Sequence, residues 1–402
     1  MPLTNAEDRY GSVTKTFHWL IALLILTLIP LGLIANDMAY DTADQLATKA
    51  WLFSLHKTLG ITVFFVALAR ILWALTQNKP ANLHPERKLE TFAAETVHWL
   101  LYASLVIVPL SGWLHHAATS GFAPIWWPIG QDLPLVPKSD AVAGAFGAMH
   151  VIATNVLEAS VALHILGALK HHFIDRDSTL RRMWFGTTTA TTPGGTHNVR
   201  RPAITAAVIW ALAIAFGAGL GMSGGENDGP APTALAQVQS DWQVQNGTLS
   251  ITVNQFGSDV TGSFADWTAD ITFDETVQNG ISGAVEATIS IGSLTLGSVT
   301  DQAMGPDFFN VEKFPTATYN AEITTTTDRT TANGTLTIKD QSVPLELPFD
   351  LAIDGDTATM KATTTLDRRD FNIGDNMNDE GSLKFPVQVQ IELTATRATA
   401  TN

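Results

Sequence analysis

Four histidines lie within or at the ends of long apolar segments: His18, His56, His150 and His164. An ionisable side chain is costly at membrane depth, so each of the four is a candidate for function. His150 and His164 share one segment, and their spacing of 14 residues returns a helix to within about 40° of the same face. The pattern predicts two rings on nearly one face, about 21 Å apart along the axis. One helix can therefore offer a ligand to each of two stacked sites.

Alternation of the segments across a membrane supplies a partner for each ring. His18 and His164 fall towards one surface, and His56 and His150 fall towards the other. Paired neutral imidazoles, without cysteine or carboxylate beside them, suit haem iron better than structural zinc. The sequence thus predicts two bis-histidine sites. The alternative is that these histidines only form hydrogen bonds between helices.

The apolar segments approach the length needed to cross a membrane, because a hydrocarbon core about 30 Å thick takes about 20 helical residues. Lys and Arg number 12 on the side of the N-terminus and 3 on the opposite side, which predicts a cytoplasmic N-terminus. We expect an all-α transmembrane four-helix bundle and a fifth transmembrane helix, after which the chain lies outside. The segments cover residues 19–34, 51–75, 97–114, 149–169 and 203–222.

Composition divides the 402 residues into two different halves. Residues 1–222 carry 15 Lys and Arg and 13 Asp and Glu, whereas residues 223–402 carry 8 and 25, so the net charges are +2 and −17. The acidic half would repel phosphate backbones, and we expect no nucleic-acid partner. The absence of cysteine excludes disulfides, thiolate catalysis and cysteine-held iron–sulfur or zinc sites.

The second half changes to strict alternation of apolar and polar residues, as in 248–253, 334–338 and 385–393. About eight such runs, separated by Gly, Asp and Asn turns, predict an all-β antiparallel barrel or sandwich. A barrel of eight strands can hold one small ligand. No catalytic Ser/His/Asp grouping or phosphate loop is visible, so we expect this half to bind a ligand.

Motifs of the first half resemble the bacterial di-haem cytochrome b561 family over about residues 8–186. The resemblance implies two haem b groups whose ligands are His18 with His164 and His56 with His150. This pairing agrees with the one expected from depth. The motifs are Thr16-Phe-His-Trp-Leu20, His56-Lys-Thr-Leu-Gly60, Val108-Pro-Leu-Ser-Gly112 and His164-Ile-Leu-Gly-Ala-Leu-Lys-His-His172.

Other polar residues of this half have weaker assignments. Arg70, one turn inside the cytoplasmic end of its segment, could pair with a haem propionate or extend to the membrane interface. His171 and His172 are expected at the cytoplasmic surface, with contact to propionates or a quinone as the alternative. His98 is expected to form an interhelical hydrogen bond rather than to handle protons or to add a fifth ligand. Four histidines are assigned to loops without a role: His84, His115, His116 and His197.

Motifs of the second half resemble the YceI-like family of lipocalin-like barrels, over about residues 237–398. The resemblance implies a polyisoprenoid or isoprenoid quinone ligand. One departure is Thr300-Asp-Gln302, where the family usually carries Arg-Asp, so polar contacts at the barrel mouth would differ. The diagnostic segment is Asp307-Phe-Phe-Asn-Val-Glu-Lys-Phe-Pro315. The aromatic candidates for ligand contact, with ordinary core packing as the favoured alternative for each, are Phe308, Phe309, Phe314 and Phe371.

We expect three regions: a di-haem membrane domain at 1–186, a linker with the fifth helix at 187–236, and the barrel at 237–402. Arg200-Arg201 before an apolar run, and Ala234-Leu-Ala236 after it, imitate an internal signal sequence cleaved near Ala236. A retained helix is favoured because the spacer before Ala234 is longer than processing usually needs.

The expected function is electron transfer by a multi-pass cytochrome of the bacterial inner membrane. It would exchange electrons with the quinone pool or a small diffusible partner, while a periplasmic barrel binds ubiquinone, another isoprenoid quinone or a polyprenyl lipid. The alternative is an isoprenoid lipid carrier anchored by a cytochrome with a minor or sensory redox role. The sequence leaves open whether the chain acts as a quinone-linked oxidoreductase, and which redox partner it meets.

Overall fold

The computed structural model describes residues 2–398 except 187–199, 220–233 and the single positions 41, 120, 122, 129, 237, 239, 278 and 328. His197 and the parts 187–199 and 220–233 of the predicted linker therefore lie outside the described residues. The chain divides into two compact units. The first comprises Met1–Asp37, Trp51–Thr119 and Ile125–Glu226, and the second comprises Met38–Ala50, Ser120–Pro124 and Asn227–Asn402.

Within the described residues, five helices are long and apolar enough to cross a membrane. Even the shortest, with 20 residues, covers about 30 Å at 1.5 Å per residue. This confirms the predicted multi-pass membrane protein. The long helices are α1 (Ser12–Asp37), α2 (Ala43–Leu75), α3 (Lys88–Ala118), α4 (Asp140–Leu169) and α6 (Arg200–Gly219), with a short α5 (Thr179–Met183) before the last.

The first four long helices share one apolar core, as the predicted bundle requires. Its buried members are Ile21, Ile25 and Leu28 of α1, Val63 and Ala67 of α2, Leu105 of α3 and Leu157 of α4. The fifth long helix packs Ala206 and Trp210 against Leu100 and Ala153. These contacts fix which faces of α1–α4 point inward, and hence where the four histidines meet.

Helix α4 continues into a π-helical turn, Lys170–Asp175, that the sequence did not predict. The turn ends at Arg176, which adopts a left-handed conformation with φ of 54°. Such turns occur mostly as single insertions, often at functional sites. Here the turn carries His171 and His172 beyond the regular helix.

The second half forms a single ten-stranded antiparallel sheet in the order β3-β4-β6-β7-β8-β9-β10-β1-β2-β5. Its curled, lipocalin-like form confirms the predicted barrel class, with two strands more than expected. One of the ten strands, β5, has only two residues and shows no alternation in the sequence. The strands are β1 (Trp242–Gln255), β2 (Ser258–Phe264), β3 (Trp267–Phe273), β4 (Gly280–Ser290), β5 (Leu294–Thr295), β6 (Thr316–Thr325), β7 (Thr330–Ile338), β8 (Gln341–Asp354), β9 (Thr357–Asp367) and β10 (Pro386–Arg397).

Alternate residues of the strands point into the barrel, as period-two patterning requires. In β6, for example, Ala317, Tyr319, Ala321 and Ile323 are buried. A short helix, α7 (Thr300–Met304), lies between β5 and β6 and contributes Ala303 to the same interior. The inward faces enclose an apolar cavity of about 290 Å³.

Candidate functional sites

The structure brings His56 of α2 and His150 of α4 together, with ring centres 6.4 Å apart and ring planes at 83°. The His150 Nδ1–H donates a hydrogen bond of 2.9 Å to the main-chain carbonyl of Val108 on α3. This bond fixes the tautomer in which the His150 Nε2 keeps its lone pair, the arrangement usual for a metal-binding histidine.

His18 of α1 and His164 of α4 form the second pair, with ring centres 6.0 Å apart and planes at 62°. His98 of α3 lies edge-on against His164 at 5.1 Å, and its Nδ1–H donates to the carbonyl of Ala94 in its own helix, at 2.6 Å. The interhelical hydrogen bond predicted for His98 is thus replaced by a bond within α3 and a ring contact with His164.

Both pairs have the spacing that a shared metal ion would need. Metal–nitrogen bonds of about 2 Å to each imidazole, with each nitrogen about 1 Å from its ring centre, would allow ring centres up to about 6 Å apart. The donor set consists of imidazole nitrogens without thiolate. The residues of both sites therefore fit b-type haem.

Glycines of the helices shape these sites. A Cβ at Gly32 would stand 2.9 Å from Cε1 of His56, and a Cβ at Gly112 would stand 3.0 Å from Cε1 of His150. Only glycine lets each ring lie this close to the neighbouring helix. Beside Gly60 and Gly167, by contrast, a Cβ would meet no atom within 4 Å, which leaves open space next to the histidine helices.

The structure places Arg70 over the ring of Tyr102, at 5.4 Å from the ring centre. Its predicted pairing with a haem propionate stays a prediction. The assignment of His115 and His116 to a loop is wrong, because α3 extends to Ala118. The His115 Nδ1–H donates to the Ala143 carbonyl at 2.7 Å, which links α3 to α4.

A polar cluster beyond the end of α4 was missed in the sequence. One carboxylate oxygen of Asp177 accepts hydrogen bonds from His171 Nδ1 at 2.6 Å and His84 Nε2 at 3.1 Å, and the two rings are stacked. Burial raises the pKa of Asp177, but hydrogen bonds from Thr179 and His171 outweigh it and lower the pKa to about 2. His84 comes from the loop between α2 and α3, so no sequence spacing reveals this meeting.

The barrel cavity receives three of the four predicted aromatic residues: Phe308, Phe309 and Phe371. Phe309 also meets Phe264 edge-on at 6.4 Å. Phe314 does not line the cavity; the Lys313 ammonium lies 4.8 Å from its ring centre.

One end of the cavity is built around the buried Arg368, which is 3% exposed. Its Nη1, Nη2 and Nε donate to five main-chain carbonyls of the segment that precedes β10. Burial lowers the pKa of Arg368, yet no carboxylate contacts the guanidinium among these bonds. The accepting carbonyls belong to Ile373, Gly374, Met377, Leu383 and Lys384.

Two family models match the chain: prokaryotic cytochrome b561 over residues 9–186 and the YceI-like domain over residues 242–395. Cytochrome b561 homolog 2 of Escherichia coli is 35% identical over 188 residues, which are 46% of this chain and 95% of that protein. The "Probable superoxide oxidase CybB" of Yersinia pestis is 24% identical over 180 residues, 44% of this chain and 96% of that protein. The chain belongs to the prokaryotic cytochrome b561 family and carries a YceI-like domain after its membrane helices. Membership of this family implies binding of b-type haem.

Two solved structures are similar to part of the chain. BcnA of Burkholderia cenocepacia is 27% identical, with a TM-score of 0.35, covering 37% of this chain and 96% of that one. The YceI protein of Campylobacter jejuni is 19% identical, with a TM-score of 0.30, covering 43% of this chain and 95% of that one.

Proposed function

We propose that the chain is a di-haem electron-transfer protein whose barrel binds an isoprenoid quinone or lipid. The observation that carries the proposal is the pairing of four histidines into two sites that share one helix. His56 and His150 would hold one haem b, and His18 and His164 the other. With 14 residues between His150 and His164, the two sites lie at depths about 21 Å apart along α4.

When bound, each haem supplies a one-electron redox centre. The protein orients the histidine ligands and separates them from water. The Val108 carbonyl holds the His150 ring, and His98 packs against His164. Beyond the end of α4, which carries His164, the hydrogen-bonded row His84–Asp177–His171 offers imidazole nitrogens and a carboxylate for the proton exchange that quinone chemistry requires.

The charge distribution supports a cytoplasmic N-terminus and a periplasmic barrel, because 12 of 15 Lys and Arg in residues 1–222 fall on one side of the predicted spans. The proposed regions are a membrane domain at 1–186, a linker at 187–236 and the barrel at 237–402, in a bacterial inner membrane. The apolar cavity supports an isoprenoid ligand for the barrel, since its wall is mainly hydrocarbon.

Two electron sources are compatible with this arrangement: a quinol or a small diffusible reductant. The name of the Yersinia pestis relative, a superoxide oxidase, supports the second. The competing proposal is a lipid carrier in which the cytochrome serves as an anchor or sensor.

A redox titration of the purified full chain separates these proposals. We expect a reduced b-type spectrum that an isoprenoid quinol generates and the matching quinone discharges, with two haems per polypeptide. Superoxide is tested in parallel as the reductant. If the haem exchanges electrons with no quinone, the result would favour the lipid-carrier proposal.

A further inference from the structure

The polar cluster beyond the end of α4 brings three side chains of metal-binding type together. The Asp177 Oδ2 lies 2.6 Å from Nδ1 of His171 and 3.1 Å from Nε2 of His84. These three atoms all lie within 4.8 Å of one another. Ligand atoms around a tetrahedral metal ion with bonds of about 2 Å stand about 3.3 Å apart. Small rotations of the side chains would therefore place one ion within bonding distance of all three.

Two connections of the helical bundle position these side chains. His171 lies in the π-helical turn after α4, and its carbonyl accepts hydrogen bonds from the amides of Arg176 and Asp177. These bonds close the turn and direct Asp177 back towards His171. The Asp177 Oδ1 accepts a hydrogen bond of 2.8 Å from the Thr179 amide, which leaves Oδ2 facing the two imidazoles. His84 reaches them from the loop between α2 and α3.

His84 faces a carboxylate with each of its ring nitrogens. Its Nε2 lies 3.1 Å from Asp177, and its Nδ1 lies 3.2 Å from Glu86. A neutral imidazole carries one hydrogen, so it can donate to only one of the two carboxylates. When Nδ1–H donates to Glu86, the Nε2 lone pair points at the Asp177 oxygen, and a second proton or a metal ion must supply positive charge between them. A carboxylate behind the imidazole is the arrangement that orients metal-binding histidines.

The charge of the cluster favours a divalent ion. Arg87 and Lys170 pair with Asp175 at 3.1 Å and 3.0 Å and also contact Glu90, whereas Asp177 contacts only the two imidazoles and the Thr179 amide among the described bonds. The side chains of His84, His171 and Asp177 are 30%, 22% and 13% exposed, so an ion can reach them from water. With neutral imidazoles the cluster has a net charge of −2, from the carboxylates of Glu86, Glu90, Asp175 and Asp177 and the cations of Arg87 and Lys170.

We propose that His84, His171 and Asp177 form a binding site for a divalent transition-metal ion, with Zn²⁺ as the best match. The site does not depend on the proposed electron transfer and uses none of the four paired histidines of the bundle. Two imidazoles and one carboxylate suit Zn²⁺, whereas Mg²⁺ and Ca²⁺ prefer oxygen ligands. Water completes the tetrahedral shell. Because the ligands come from two connections, the ion holds the α2–α3 loop against the turn after α4.

Zinc binding to the haem-loaded full chain tests the site. Protein purified in detergent without a histidine tag is dialysed against Zn²⁺ in the presence of excess Mg²⁺, and bound zinc is counted by inductively coupled plasma mass spectrometry. We expect a single Zn²⁺ ion per chain. His84→Gln, His171→Gln and Asp177→Asn should each weaken its binding by more than about 100-fold, since the loss of even an outer partner of a metal ligand costs about tenfold to 100-fold in affinity. His172→Gln is the matched control in the same turn, and should keep the wild-type affinity because its ring packs against Phe173 instead.

Chemical modification of the wild-type protein provides a second measurement that needs no substitution. Zn²⁺ should protect His84 from diethyl pyrocarbonate, as read by peptide mass spectrometry, and should leave His172 reactive. The absence of zinc from wild type, equal binding by wild type and all three ligand variants, or modification of His84 that Zn²⁺ does not slow would each overturn the site. An unchanged haem spectrum shows that the variants are folded. The electron-transfer proposal is unaffected by either result, because neither measurement involves a quinone or superoxide.

Discussion

The orientation of single rings decides what the membrane half can hold. His150 is fixed by the Val108 carbonyl, and His164 is packed against His98. Each ring is thereby held by an element other than its own pairing partner. Removing one histidine should therefore leave the geometry of the other pair unchanged.

Alanine substitutions of the four histidines test this independence. We expect His56→Ala or His150→Ala to remove one haem, and His18→Ala or His164→Ala to remove the other, because the structure pairs the rings in this way. Haem content per polypeptide and the split of the reduced spectrum provide the measurement. Loss of the same haem in His18→Ala and His56→Ala would contradict the pairing.

The glycines beside the rings offer a finer test. Gly32→Ala and Gly112→Ala should each perturb only the haem of His56 and His150, because the new methyl group would stand 2.9 Å and 3.0 Å from ring atoms. We expect a shifted midpoint potential or a partial loss of that haem, measured by spectroelectrochemistry. Gly219→Ala, whose new methyl group meets no atom of the described residues within 4 Å, is the matched control. Equal effects of all three substitutions would argue against a specific fit of Gly32 and Gly112 to the His56 and His150 rings.

At the scale of the elements, the segment before β10 depends on Arg368. The five carbonyls that the guanidinium joins lie in residues 373–384. Arg368→Met would leave them without a donor and should cost about 3 kcal/mol or more. Hydrogen–deuterium exchange of the full chain should then speed up in 373–384. Arg369→Met, which loses contacts with Asp367 and with the Phe385 ring but no bond to these five carbonyls, should leave that exchange unchanged.

Strand β6 allows a test of pH dependence. Burial raises the pKa of Tyr319 to about 12 from the ordinary value of 10.0. Its contribution to stability is thus complete below pH 10 and is lost as the pH rises from 10 towards 12, because only the unfolded chain ionises there. The ultraviolet difference between wild type and Tyr319→Phe should titrate with a midpoint of about 12. A midpoint near 10 would show that the hydroxyl is accessible to water.

The sequence was sufficient to predict the helices and strands whose residues repeat with a regular period. Long apolar runs and alternating strands are local signals, and the histidine pairs followed from depth alone. Contacts between distant segments had no such signal: His84, for example, meets Asp177 across 93 positions. The end of α3 was placed too early because His115 and His116 interrupt the apolar run, although the helix continues to Ala118.

For the whole molecule, the charge asymmetry makes the clearest prediction. A reporter fused after Arg182 should lie in the cytoplasm, and a reporter fused after Ser240 should lie in the outer compartment. This follows from the ratio of 12 to 3 Lys and Arg on the two sides. Paired alkaline phosphatase and green fluorescent protein reporters provide opposite signals for the two sides. A cytoplasmic signal after Ser240 would mean that α6 does not cross the membrane.

The pairing of the first barrel strand with the last has a consequence for how the protein is made. Trp242 lies opposite Arg397, and the ladder runs on to Thr252 opposite Gln388. Strand β1 is synthesised before β10, so the edge of β1 that pairs with β10 has no partner until the last strand has been made. A chain that stops short of β10 would expose the edges of both β1 and β9, which favours aggregation and proteolysis. Loss of β10 alone should therefore harm the barrel far more than its 12 residues suggest.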